Sequence, residues 1–109
     1  MTKYAIPISA LLFVAMVCVA HADTKSLAVE KQCFSCHTAD IQVGKAPPFR
    51  AIAEKYKGKA NVEANLVQKI KNGGVGHWGS IPMPAIEGER PDVSDAEARE
   101  LVAWILAQH

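Results

Sequence analysis

Apolar positions at helical spacing are clearest near the C-terminus of this chain of 109 residues. Ser94 and Glu97 have the spacing of a capping box, which predicts the first turn of a helix. Apolar residues then stand at i, i+3, i+4 and i+7, the pattern of one buried helical face: Ala98, Leu101, Val102 and Ile105. Trp104 lies on the flank of this stripe. We therefore predict a C-terminal helix whose apolar side belongs to the core.

An N-terminal helix is predicted over residues 24–33. Asp23 or Thr24 has the side chain of a helix cap, and Leu27 and Ala28 would form the inner face. The apolar periodicity is weaker here than at the C-terminus, so the cap and the spacing together carry this prediction.

Two further helices lie between these. One ends at Gly58, and its apolar stripe consists of Phe49, Ile52, Ala53 and Tyr56. The next starts after Asn61 and stops at residues 72–74, and its apolar positions are Val62, Leu66, Val67 and Ile70. No alternation of apolar and polar residues predicts a strand, so the predicted fold class is all-α, with about four helices.

Residues 1–22 have the features of a secretory signal peptide. Lys3 gives a positively charged N-terminal region, and residues 5–20 form an apolar run. Ala20-His21-Ala22 has the small-x-small pattern of a cleavage site. The apolar run is shorter than the roughly 20 residues of a membrane-spanning helix, which favours cleavage over a retained anchor. We predict a signal peptide over 1–22 and one mature domain over 23–109, exported to the periplasm and without a membrane span.

The mature domain has balanced charge. The whole chain has 12 lysines and arginines against 11 aspartates and glutamates, and removal of Lys3 leaves eleven of each. This balance gives no indication of nucleic acid binding. Cys33 and Cys36 are the only cysteines after the predicted signal, so no other disulfide framework is available.

Cys33-Phe34-Ser35-Cys36-His37 has the C-x-x-C-H pattern of c-type haem attachment. Two thiols at this spacing can reach both vinyl groups of one porphyrin, and the histidine can then bind the iron. A redox dithiol would need a thioredoxin-like βαβ pattern, and zinc would need a second pair of ligands at metal spacing. Neither pattern is visible, so haem attachment is the favoured interpretation.

Met83 is the candidate for the second axial ligand. It is the only methionine after the predicted signal, and Pro82 and Pro84 restrict the backbone on both sides of it. The long loop that carries it is unusual in a small domain unless it has a function. Alternatives are His77, the terminal His109 and an open coordination position.

The mature chain resembles the class I c-type cytochromes, most closely the short bacterial cytochrome c-551 type. Besides the pentapeptide, the likeness rests on Tyr56-Lys57-Gly58, Ile70-Lys71-Asn72-Gly73, Trp78-Gly79 and Ile81-Pro82-Met83-Pro84. The resemblance implies a small cytochrome c fold of about four helices around one covalently attached haem c. It also implies contact between the first and last helices, and iron ligation by a histidine and a methionine.

The resemblance further implies roles for three residues around the haem. The Pro47 carbonyl would accept a hydrogen bond from His37, Trp78 would donate to a haem propionate, and Lys69 would stand where the family often has a basic propionate partner. Lys69 is equally well interpreted as an ordinary solvated helix lysine.

Three features depart from the family pattern. Ala46 stands where glycine is usual and the chain is one residue longer after the motif, so both Pro47 and Pro48 are candidates for the contact with His37 and Pro47 is preferred. Ile86 replaces an asparagine that often follows the ligand methionine in the family and hydrogen-bonds its sulfur. Residues 87–92 resemble an insertion.

These features predict a soluble electron carrier rather than an enzyme. Its partners would be transient donor and acceptor proteins, with the haem-attachment machinery acting during maturation. A gas-binding haem protein and a periplasmic dithiol protein are the alternatives. A basic cluster is interpreted as a solvated face in preference to a steering surface: Lys45, Arg50, Lys55, Lys57 and Lys59.

Overall fold

The computed structural model describes residues 23–44, 46–76, 78–84 and 90–108. Four α-helices and no strand lie in these ranges: α1 Thr24–Glu30, α2 Phe49–Tyr56, α3 Val62–Asn72 and α4 Asp95–Leu106. A single 3₁₀ turn, Cys33–Ser35, follows α1. The predicted all-α class with four helices is therefore confirmed. The predicted signal peptide, Lys45, His77, Ile86 and His109 lie outside the described residues.

The predicted extent of the first helix is wrong at its C-terminal end. The helix ends at Glu30, and Gln32 adopts a left-handed conformation with φ 60°. A residue at this φ cannot continue a right-handed helix. Cys33 therefore starts a separate 3₁₀ turn instead of closing α1.

The last helix, α4, is the centre of the fold, because it contacts α1, α2 and α3. Its capping box is present: Ser94 Oγ accepts from the Glu97 N–H at 3.2 Å, and the Glu97 carboxylate accepts from the Ser94 N–H at 2.9 Å. All four residues of the predicted apolar stripe are buried: Ala98, Leu101, Val102 and Ile105. The sequence pattern thus predicted both where this helix starts and which face it buries.

An aromatic cluster joins α2 and α4 beside the cysteine-containing turn. The rings of Phe34, Phe49 and Trp104 meet edge to face, with centroids 5.2 to 6.2 Å apart. Such contacts add to the stabilisation from burial alone. Phe49 is 2% exposed and is among the largest fully enclosed side chains.

Polar contacts link α1 to α4, as the resemblance implied. The Lys31 ammonium donates to the Asp92 carbonyl at 2.9 Å and lies 3.2 Å from the Glu97 carboxylate. Burial lowers the pKa of Lys31, but the acidic side chains of Glu97 and Glu30 outweigh this effect and the pKa is raised. The link therefore stabilises the entry to the cysteine-containing turn.

The third helix begins and ends near the predicted residues. Asn61 is its N-cap, but the Asn61 backbone is left-handed with φ 57° and its side chain makes no capping hydrogen bond. Gly73, at φ 68°, ends the helix and donates to the Lys69 carbonyl at 2.8 Å. Within the described ranges, no helix has the length and apolar character required to cross a membrane.

Candidate functional site

One cavity of about 430 Å³ lies between α2, α3, α4 and the loops, within the usual size range of cofactor sites. Apolar side chains from all three helices line it, including Phe49, Ile52, Ile70 and Val102. The structure brings every predicted site residue to this cavity: Cys33, Cys36, His37, Pro47, Lys69, Trp78 and Met83.

Both cysteines of the motif, Cys33 and Cys36, line the cavity. Cys33 is half-buried, Cys36 is exposed, and neither forms a disulfide. Burial raises the pKa of the Cys33 thiol, and the nearby charge of Arg90 opposes this rise. The His37 N–H donates to the Cys33 carbonyl at 3.0 Å, so the turn that presents the sulfurs also places the histidine.

His37 is held on two sides. Its Nδ1 lies 2.8 Å from the carbonyl oxygen of buried Pro47, and because a carbonyl only accepts, Nδ1 carries the proton. The Phe49 ring stacks on the imidazole, with centroids 5.2 Å apart and planes at 21°. Burial lowers the pKa of His37, the bond to Pro47 opposes this, and the Arg90 charge adds to the fall. A neutral imidazole with its Nε2 lone pair available is the form that binds metals.

The loop after α3 folds back on itself to place Met83. Gly74 and Met83 exchange both backbone hydrogen bonds, at 3.0 and 2.9 Å, as an isolated antiparallel bridge. Met83 is half-buried and packs against the core between α3 and α4. Besides the flanking prolines, this bridge holds the backbone from which the Met83 side chain extends.

Lys69 and Trp78 reach the cavity from α3 and from the loop after it. Gly74 leaves room for the lysine, because a Cβ on that glycine would lie 2.7 Å from Lys69 Nζ. The indole of Trp78 is 38% exposed, and the Lys55 ammonium lies 4.2 Å from its ring centroid, within cation–π distance.

The charged side chains that the structure describes at the cavity share one sign. Its described lining residues include Lys31, Lys69 and Arg90. No aspartate or glutamate is found among these described lining residues. An apolar cavity with a cationic lining fits an apolar macrocycle that carries acidic groups. Two thiols, an available imidazole nitrogen and a thioether complete a donor set typical of haem c.

Three contributors to the site were not predicted. Phe49 was assigned to a helix stripe, although its ring also stacks on His37. Gly74 was only a helix stop, and Arg90 lay in a supposed insertion. No local pattern marks these roles, because each depends on a partner 9 to 20 residues away in the sequence.

Comparison with known proteins assigns the family. The family model for cytochrome c matches residues 22–108 of this chain. The chain belongs to the cytochrome c family. Cytochrome c-551 of Pseudomonas aeruginosa is 42% identical over 86 residues, which cover 79% of this chain and 77% of that protein.

Solved structures give the same assignment. The crystal structure of Nitrosomonas europaea cytochrome c552 matches with a TM-score of 0.69 at 39% identity, over 78% of this chain and 99% of that one. The class 1 cytochrome MtoD from Sideroxydans lithotrophicus matches with a TM-score of 0.63 at 34% identity, over 78% and 91% of the two chains.

The family settles the cofactor and the general activity. This cytochrome is a class I c-type cytochrome of the c-551 type, with one haem c attached through Cys33 and Cys36. It is a monohaem electron carrier, and cytochromes of this family pass electrons to redox partners. The resemblance inferred from the motifs is therefore confirmed.

Proposed function

We propose that His37 and Met83 are the axial ligands of the haem iron, and that the protein shuttles single electrons between periplasmic redox partners. The observation that carries this proposal is the common cavity: both side chains line it together with Cys33 and Cys36. Haem c, when bound, supplies an iron that accepts and releases one electron.

The hydrogen bond from His37 to Pro47 supports the role of the histidine. A carbonyl partner at Nδ1 fixes the tautomer, orients the ring and raises the basicity of Nε2. The stacked ring of Phe49 restricts rotation of the imidazole about its Cβ. Both contacts restrict the position of the donor nitrogen, which would keep the reorganisation on electron transfer small.

The bridge to Gly74 supports the role of Met83. Its two backbone hydrogen bonds, with Pro82 and Pro84 on either side, limit the positions available to the sulfur. With His37 as the other ligand, the Met83 thioether would favour the reduced state of the iron. Two ligands from the protein would also leave no coordination position for a substrate or dioxygen, which favours electron transfer over catalysis.

Lys69 and Trp78 would bind the propionates. Both line the cavity, and an ammonium and an indole N–H are suitable donors to carboxylates. Cys36 lines the cavity and is exposed, so a partner could approach the haem closely there. Contacts at this position would be small and transient, as suits a shuttle between a donor and an acceptor.

Export would precede haem attachment. A signal peptide over residues 1–22 would deliver the chain to the periplasm, where attachment machinery joins the haem to the mature domain 23–109. Mass spectrometry of the purified protein should give the mass of residues 23–109 plus one haem. A mass that includes residues 1–22 would contradict cleavage.

The visible spectrum of Met83→Ala tests the ligation. We expect wild type to be low-spin with an iron–thioether charge-transfer band, and Met83→Ala to lose that band while keeping covalent haem. Ile81→Ala is the matched control, because Ile81 lies in the same loop as Met83 and lines the same cavity. A low-spin spectrum with the thioether band in Met83→Ala would contradict the proposal. If that band is absent from wild type and His77→Ala removes low-spin character there, His77 is the ligand instead.

A further inference from the structure

Arg90 brings a permanent positive charge into the wall of the haem cavity. It is half-buried and lines the cavity together with Cys33, His37 and Met83. Burial of a charge beside apolar groups is costly, so a cation at such a place requires a structural or functional reason. Its apolar neighbours there include Ile70, 8% exposed, and Val93, 3% exposed.

The end of α3 supplies a partner for the guanidinium. Arg90 Nη2 donates to the Ile70 carbonyl at 3.1 Å. Ile70 lies in the last turn of α3, where carbonyls lack partners within the helix and the helix dipole is negative. The helix end therefore reduces the cost of placing a cation in this wall.

The backbone that follows Arg90 is held by contacts with α1 and the core. Pro91 restricts the conformation of the residue before it. The Asp92 carbonyl accepts from the Lys31 ammonium at 2.9 Å, and Val93 is buried in the core. The position of the charge is thus fixed by contacts to α3, α1 and the core.

We propose that Arg90 raises the reduction potential of this cytochrome, because its side chain places a positive charge beside the bound haem. The inference rests on the proposed function, since it concerns the iron held by His37 and Met83. A nearby cation disfavours the ferric state, which carries one more positive charge than the ferrous state. The apolar surroundings strengthen this effect relative to water.

The location of Arg90 distinguishes its role from those of the other cations at the cavity. Arg90 lines the cavity together with both haem-attachment cysteines, and its charge acts on the Cys33 thiol. Lys69 is the better candidate for the propionates. Lys31 lies 3.2 Å from Glu97 and 3.6 Å from Glu30 and belongs to the polar link between α1 and α4.

Potentiometric titration of purified haem-loaded variants tests the inference. Arg90→Gln keeps a hydrogen-bond donor and removes the charge. We expect it to raise the ferric-to-ferrous ratio about tenfold at a fixed potential, equivalent to lowering the reduction potential by about 59 mV for one electron. Arg90→Lys keeps the charge and should stay near wild type. Arg99→Gln removes an exposed charge from α4 and is the matched control.

The outcomes separate this inference from the proposed function. An Arg90→Gln potential equal to wild type, with unchanged spectra, would show that Arg90 only caps α3 and would overturn the inference. If Arg90→Gln fails to take up haem, Arg90→Lys decides: a wild-type potential supports the role of charge, and a tenfold shift overturns it. A wild-type protein without low-spin His/Met spectra would instead overturn the proposed ligation.

Discussion

Gly74 and Met83 exchange both of their backbone hydrogen bonds across nine positions of sequence. Gly74 has φ +140°, a region that other residues rarely adopt, and its missing side chain leaves space for Lys69 Nζ. The bridge joins the end of α3 to the candidate ligand. The position of the thioether therefore depends on a residue that cannot itself bind a metal.

Gly74→Ala should weaken ligation by Met83. We expect a loss of about 1–3 kcal/mol in the free energy of unfolding from backbone strain, together with a weaker iron–thioether charge-transfer band. Gly58→Ala is the control, because Gly58 also has positive φ, +71°, but has no neighbour within 4 Å of its Cβ position. It should lose stability and keep the band. An equally strong charge-transfer band in wild type, Gly74→Ala and Gly58→Ala would show that the prolines alone hold Met83.

Glu97 should make stability depend on pH. The Ser94 N–H and the Lys31 ammonium hold the pKa of Glu97 below its ordinary value. A carboxylate with a lowered pKa in the folded state stabilises that state above its unfolded pKa, and this contribution is lost as the pH falls through the folded value. Glu97→Gln should therefore unfold more easily than wild type near neutral pH, and the difference should shrink below about pH 4.

Chemical denaturation of the haem-loaded proteins at two pH values checks this expectation. Glutamine can still complete the capping box, so the substitution removes the charge and largely keeps the cap. Glu54→Gln, on the exposed side of α2, should follow wild type at both pH values. A deficit in Glu97→Gln of the same size in acid would mean that packing, not charge, is responsible.

Phe49 should be required for both stability and the histidine position. It is 2% exposed and stacks on His37, so Phe49→Ala should cost about 3–5 kcal/mol in the free energy of unfolding. Phe49→Leu keeps most of the volume and should cost less than about 1.5 kcal/mol. Ile41→Ala, at a residue 70% exposed, should lie within about 0.5 kcal/mol of wild type. Guanidinium unfolding measures all three, and a Phe49→Ala value near that of Ile41→Ala would refute this role.

Trp78 and Lys69 should influence how the reduction potential depends on pH. Donors to a propionate favour its charged form and lower its pKa. Trp78→Phe keeps a ring and removes the N–H, and Lys69→Gln removes a charge, so each should move the pH-dependent region of the potential to higher pH. Lys25→Gln, on the exposed side of α1, is the control. An unchanged profile in both test variants would exclude propionate contacts.

The sequence by itself determined the cofactor and most of the helices. The cysteine spacing and the histidine after it are local, because one peptide segment must reach one porphyrin edge. The capping box at Ser94 and the stripe from Ala98 to Ile105 are also local, so the start and buried face of α4 could be predicted. The end of α1 was not predictable in this way, because the residue in the left-handed conformation after it is Gln32 and not a glycine, the residue that usually marks a helix end.

Only the tertiary structure decided which distant groups surround the motif. The resemblance implied a proline carbonyl at His37 Nδ1, and the structure has that of Pro47 there. The ring of Phe49 beside His37 and the bridge from Gly74 to Met83 join residues that no sequence pattern connects. The contact of Arg90 with the end of α3 spans 20 positions and has no sequence pattern. Hydrogen bonds and charges of this kind depend on distances that folding creates, whereas motif spacing and helical periodicity are properties of the local chain.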